Sequence, residues 1–207
     1  MGAWPRSRIA RQAAALVTAL LAAFGCLPAE AHLNSTGMGP VYDGLSHFAM
    51  SPDDLVPVLA LALLAGLRGA DAARRALIAL PAAWLTGCLL GMNAPAVHVG
   101  SAWAALNFLV LGGLVVADAK LSPRVLAALA VVLGLAHGYL NGSGLGRSGQ
   151  AFVAVLGLAS AVFVTIALVS AFVVRLRAHW ARIAVRVAGS WIAASGLLML
   201  GWALRGT

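Results

Sequence analysis

From residue 52 to residue 204 the chain alternates long apolar blocks with short polar connections. The blocks fall near 52–69, 76–92, 101–117, 124–140, 150–174 and 183–204. Each approaches the ~20 residues that a helix needs to cross ~30 Å of hydrocarbon. The pattern predicts an all-α integral membrane protein whose transmembrane domain, 52–207, is a six-helix bundle. A polar stretch, 32–51, precedes it. Still earlier, Arg6, Arg8 and Arg11 lead into the apolar run AAALVTALLAAFG, and Ala29-Glu30-Ala31 follows. That order of basic, apolar and small residues is the layout of a cleavable signal peptide over 1–31, so 32–51 is expected as an exported segment beginning at His32. The alternative, a lipoprotein signal ending at Cys26, is disfavoured by Phe24.

The connections give a direction. With the mature N-terminus exported, the inner loops hold Arg68, Arg74, Arg75, Lys120, Arg124, Arg175, Arg177, Arg182 and Arg186, and only Arg147 and Arg205 lie outside. Nine against two satisfies the positive-inside rule and puts both termini outside. Gly87 with Gly91, and Gly134 with Gly138, are spaced to let helix backbones approach closely. The loop NGSGLGRSG, 141–149, reads as a flexible outer connection without the ending of a phosphate loop.

Composition agrees. The 207 residues are 62% hydrophobic and 10% charged, too apolar for a soluble core of this size. A net charge of +8 could suggest nucleic acid, but the basic residues sit between apolar blocks rather than in one patch, which excludes that role. Thirteen of the fourteen basic residues are Arg, a bias typical of a GC-rich bacterial genome. Two cysteines, Cys26 and Cys88, cannot build a disulfide framework or a thiolate metal site. No Ser-His or His-Glu-x-x-His arrangement is present, so an enzyme is not expected.

The stretch YDGLSHFAMSPDDLVPVLA, 42–60, carries three of the six acidic residues at the mouth of the first apolar block. SPDD reads as an acidic capping box, with Ser51 as N-cap, Pro52 at N1 and Asp54 at N3 complementing the helix dipole. A second reading rests on length. The uncharged run Leu55 to Leu67 extends only ~20 Å, so a ~30 Å core draws Asp53 and Asp54 toward the outer boundary, where an ionised carboxylate needs a partner. Pro57 also frees the carbonyl of Asp53. With His47 these groups form a candidate divalent-cation site.

Helix direction places His137 and Asn141 at the same outer end, and Asn107 one or two turns below it. His98 reads as a packing residue and His179 as a solvated one. A mature N-terminal His32 would offer an amine and an imidazole to a metal.

These features together resemble the HupE/UreJ family, most closely its divergent second branch, over the whole mature chain. HLNSTGMGPVYDGLSHFAMSPDDLVPVLALALLAGLRG carries most of the likeness. The family's first motif, His, five residues, then Asp-His, meets His47 to Asp53 here, with Asp54 in place of the last His. Its second motif, Phe-His-Gly-x-Ala-His-Gly-x-Glu, meets AHGYLNGSG: His137 and Gly138 match, Asn141 replaces the second His and Gly144 the Glu. The resemblance implies a permease-like protein of the bacterial inner membrane, associated with nickel or sometimes cobalt supply to metalloenzymes.

The resulting expectation is a permease that captures a divalent metal, nickel or cobalt, at its outer face through His47, Asp53, Asp54 and His137, with Asn141, Asn107 and His32 as further donors. No prosthetic group is expected. The partners implied are the lipid bilayer, the metal ion, and a periplasmic metal donor or metalloenzyme assembly protein. The alternative is a non-transporting metal-binding receptor or assembly factor, because the inner half of the bundle offers only hydroxyls such as Thr86, Ser160, Thr165 and Ser170.

Overall fold

The computed structural model describes residues 36–97, 99–146 and 150–205. The expected signal peptide, His32, His98 and Arg147 lie outside the described residues. The described chain is helical throughout: α1 (Pro40–Met50), α2 (Pro52–Arg68), α3 (Ala70–Gly91), α4 (Ser101–Val116), α5 (Pro123–Leu145), α6 (Ala151–Arg175) and α7 (His179–Ala203).

Four helices, α3, α5, α6 and α7, are long and apolar enough to cross a membrane. The pair α1–α2, bent by 74° at Ser51, makes a fifth if it counts as one broken span. The expected third span, α4, is apolar but only 16 residues long, about 24 Å of helix. Every block read from the sequence as a span is a helix, and together they mark a multi-pass membrane protein.

Two boundaries differ from expectation. The segment taken as a polar exported stretch contains α1, because Pro40 at its first turn and the apolar Val41, Leu45 and Phe48 suit a helix with one buried face. That face lies on α6 so closely that a Cβ on Gly44 would overlap the carbonyl of Ala154, and one on Gly157 the carbonyl of Val41. The loop read as 141–149 begins later, since α5 continues to Leu145 before Gly146 turns with φ +61°.

α2 is the central helix. Val58, Ala60, Leu61, Ala62, Leu64 and Ala65 have no exposure at all. α3 and α5 pack on each other through the predicted glycines: a Cβ on Gly87 would overlap the carbonyl of Leu135, and one on Gly138 the carbonyl of Trp84. α4 and α7 form a second close pair through Gly112, Gly189 and Gly196.

The outer side of α7 carries three exposed tryptophans. Trp180, Trp191 and Trp202 are 74%, 73% and 80% exposed. They recur every eleven residues, about three turns, so they share one face, and Trp180 stands about 33 Å along the axis from Trp202. That separation is close to the ~30 Å thickness of a hydrocarbon core.

Candidate functional site

The polar residues of the bundle converge where α2 begins and α5 nears its end. Asp54 occupies the first turn of α2, where the helix dipole favours a carboxylate. His137 and Asn141 sit one turn apart on α5 and therefore present the same face. His47 comes from the last turn of α1. The bend at Ser51 folds α1 back so that His47 and Asp54 approach the same residue of α5.

Asp54 Oδ1 lies 2.8 Å from His137 Nδ1, and Asp54 Oδ2 accepts from Asn141 Nδ2 at 3.0 Å. Asn141 Oδ1 in turn lies 2.9 Å from His47 Nε2. The amide nitrogen of Asn141 also donates to the His137 carbonyl at 2.9 Å. One assignment of protons satisfies all four contacts. An ionised carboxylate only accepts, so His137 carries its proton on Nδ1; Asn141 then donates through Nδ2 and accepts through Oδ1 from a protonated Nε2 of His47.

This assignment leaves His137 Nε2 as a lone pair. That atom is buried and has no hydrogen-bond partner among the described residues. His137 is 2% exposed and Asp54 7% exposed. Trp84 and Trp103 flank the imidazole, with ring centroids at 5.4 and 6.1 Å, and Phe48 meets Trp84 edge-on. The imidazole is therefore oriented by a carboxylate on one nitrogen and flanked by aromatic rings.

The capping-box reading of SPDD is corrected here. Ser51 stands at the N-cap, but its side chain makes no capping bond, and the Asp54 carboxylate is turned to α5 instead of back to the backbone. Local dipole and tertiary partners agree in sign, so the carboxylate loses nothing by leaving the cap.

Of the predicted residues, the structure brings together His47, Asp54, His137 and Asn141. Asp53 is exposed beside them and takes no part in these four contacts. Asn107 is satisfied within its own helix, donating to the Trp103 carbonyl at 2.8 Å. The described residues hold no group of three or more His, Cys, Asp or Glu side chains placed to bind a metal, so the expected convergence of two imidazoles and two carboxylates on one ion is not formed. Asn141 stands between His47 and Asp54 and joins them by hydrogen bonds. Sequence reasoning missed Phe48, Trp84 and Trp103. The signal for Trp84 was present: glycines facing one another on α3 and α5 fix the register that sets Trp84 beside His137.

A further polar cluster lies at the opposite end of α2. Asp118 accepts from Arg68 and lies 3.9 Å from the Arg182 guanidinium. Nothing in the predicted site referred to Asp118.

The model of the HupE / UreJ protein family matches residues 13–199. The chain belongs to the HupE/UreJ family. The match covers α1 to α6 and most of α7, and so includes both motif regions that build the polar site. No curated protein and no solved structure matches the chain at a significant level.

Proposed function

We propose that this HupE/UreJ protein is an inner-membrane permease for a divalent transition metal of the nickel or cobalt class. The observation that carries the reading is the buried, unpartnered Nε2 of His137, backed through Nδ1 by the Asp54 carboxylate. A carboxylate on the far nitrogen is the usual support of a metal-binding imidazole: it fixes the tautomer and strengthens the donor. The same carboxylate offsets part of the cost of bringing a doubly charged ion to bilayer depth.

The arrangement suits a passing ion better than a resident one. A structural metal site closes with four protein ligands, whereas here one imidazole is ready and His47 is held nearby through Asn141. Asp53, exposed at the entrance, draws cations electrostatically. His32, Asp53 and Asn141 are the remaining donors that a metal could recruit, and Asn141 is a weak one. In this reading α1–α2 forms one broken span and α4 a short one, giving six, with the signal peptide removed, both termini periplasmic and the arginine-rich loops cytoplasmic. A periplasmic metal donor would deliver to the His47 side.

One observation favours the alternative of a metal-binding receptor or assembly factor. Below the site, α2 is sealed by fully buried Leu61 and Leu64. The hydroxyls of Thr86 and Ser160 are exposed and donate to carbonyls of their own helices at 2.8 and 2.7 Å, so neither offers the ion a station inside the bundle.

Nickel or cobalt uptake into sealed vesicles containing the purified protein separates the two. Accumulation that is lost in Asp54→Asn and in His137→Ala supports the permease. Tight binding without accumulation supports the receptor. Binding and flux that are both indifferent to the two substitutions would leave the cluster as a packing device only.

A further inference from the structure

α4 and α7 behave as one body. A Cβ on Gly112 would overlap the backbone of Gly189 and Ala193, and one on Gly196 that of Ala105 and Leu109, so the two backbones touch along much of their length. Among the described residues the extended packing of this pair on the rest of the bundle runs through α2, and Trp103 of α4 also meets His137 of α5. The pair is thus mounted mainly on one helix, the one that carries Asp54 at one end and Arg68 at the other.

Two features sit at opposite ends of that mounting. Where α2 ends, Asp118, just past α4, binds Arg68, while Arg182 of α7 donates to the Leu67 carbonyl at 3.3 Å and approaches Asp118. Where α2 begins, an open groove of about 520 Å³ separates Val99 and Trp103 on the α4 side from Gly87 and Leu90 of α3 and Leu135 and Tyr139 of α5. The pair is tied at one end and has open space beside the other.

We propose that α4–α7 rocks on α2 as a unit, with Arg68–Asp118–Arg182 as the latch and the groove as the space that receives its far end. This deepens the permease reading, for which it supplies the moving part. When the latch opens, the loop ends of α4 and α7 move away from Arg68 and part the bundle there. Trp103, at the other end of α4 and already against His137, shifts into the groove. The latch is suited to opening. Asp118 is 31% exposed and Arg182 38%, so water can take over their charges, while Arg68, only 12% exposed, keeps one buried nitrogen, Nε, without a partner even when the latch is closed. The motion exchanges a part-buried ion cluster for apolar contact in the groove.

Asp118→Asn is the natural test, because Asp118 has φ +48° and asparagine tolerates that left-handed backbone. Hydrogen exchange is followed on the full-length protein in lipid nanodiscs. The expected result is several-fold faster exchange at the end of α4, residues 114–118, and the start of α7, residues 180–187, with α3 and α5 unchanged around their glycine contacts. Arg182→Gln, which leaves Arg68 paired, gives a weaker form of the same local acceleration. Unchanged exchange in Asp118→Asn, acceleration spread equally over α3 and α5, or a failure of these variants to assemble would overturn the proposal, since a latch is dispensable for folding. Exchange reports this motion whether or not the protein carries metal, so a lack of flux with the local response intact would count against the permease reading alone.

Discussion

His137 Nδ1 and Asp54 Oδ1 meet at 2.8 Å across the interface between α5 and α2, 83 residues apart in the chain and both nearly inaccessible. The contact fixes which imidazole nitrogen is left to bind something else. Its neighbour Asp53 has the same chemistry one residue away but is exposed. The two carboxylates should therefore respond differently to the same change. Asp54→Asn keeps the shape and removes the charge that supports His137, and is expected to weaken nickel or cobalt binding by about 10–100-fold. Asp53→Asn should change affinity only slightly and more at low salt than at high, because an exposed charge acts through screened attraction. Equilibrium dialysis with each variant checks this; equal effects would contradict the geometry.

Asn141 is the joint of the network. Asn141→Ala leaves Asp54 Oδ2 and His47 Nε2 without their partner, and a part-buried network broken at its centre is expected to lose roughly 1–3 kcal/mol of stability. Asn141→His restores the imidazole of the family's second motif at a position already facing His47 and Asp54. It should tighten metal binding even if it lowers stability. Reversible unfolding in mixed micelles, with and without nickel, measures both; a histidine variant that gains no metal-dependent stabilisation would argue against a metal at this place.

These two cases show what the sequence could and could not disclose. Helix direction alone placed His137, Asn141 and Asp54 at one end of the bundle, because alternating spans determine depth. Depth does not give azimuth. Asp53 and Asp54 are neighbours at the same depth, and only packing of α2 against α5 decides which one turns inward. The local signals misled for SPDD, since a capping box and a tertiary hydrogen bond ask for the same carboxylate at the same helix start. α1 was hidden because its helix is short and interrupted by Ser51-Pro52, so its apolar face read as scattered residues in a polar stretch. Asp118 was hidden among the basic residues of an inner loop, where charge counting records the loop but not the one acid that binds Arg68.

The glycines that position the site make a sharper prediction of stability. Gly138→Ala would drive a methyl into the Trp84 carbonyl, and overpacking of this kind costs about 1–3 kcal/mol. Gly144, six residues on in the same helix, has nothing within 4 Å of its Cβ position. Gly144→Ala should be neutral or stabilise by roughly 0.5–1 kcal/mol through helix propensity. Opposite signs for two identical substitutions in one helix, read by thermal unfolding in detergent, would confirm the α3–α5 contact. Two equal losses would refute it.

The tryptophans of α7 test whether this helix crosses the bilayer in the way its length implies. Trp180, Trp191 and Trp202 share one exposed face at three depths, so variants that keep one of them and replace the other tryptophans with phenylalanine report depth directly. In vesicles of phosphatidylcholine brominated at defined acyl positions, Trp191 should be quenched most strongly by bromines near the bilayer centre, and Trp180 and Trp202 by bromines nearest the headgroups. The two end residues should give matching depths in opposite leaflets, because about 33 Å of helix separates them and the hydrocarbon core is ~30 Å thick. Shallow quenching of all three would mean that α7 lies along the surface, and α4, bound to it through Gly112, Gly189 and Gly196, could then not be a span. Deep quenching of Trp191 alone keeps both helices upright, with Trp103 on α4 beside the imidazole of His137.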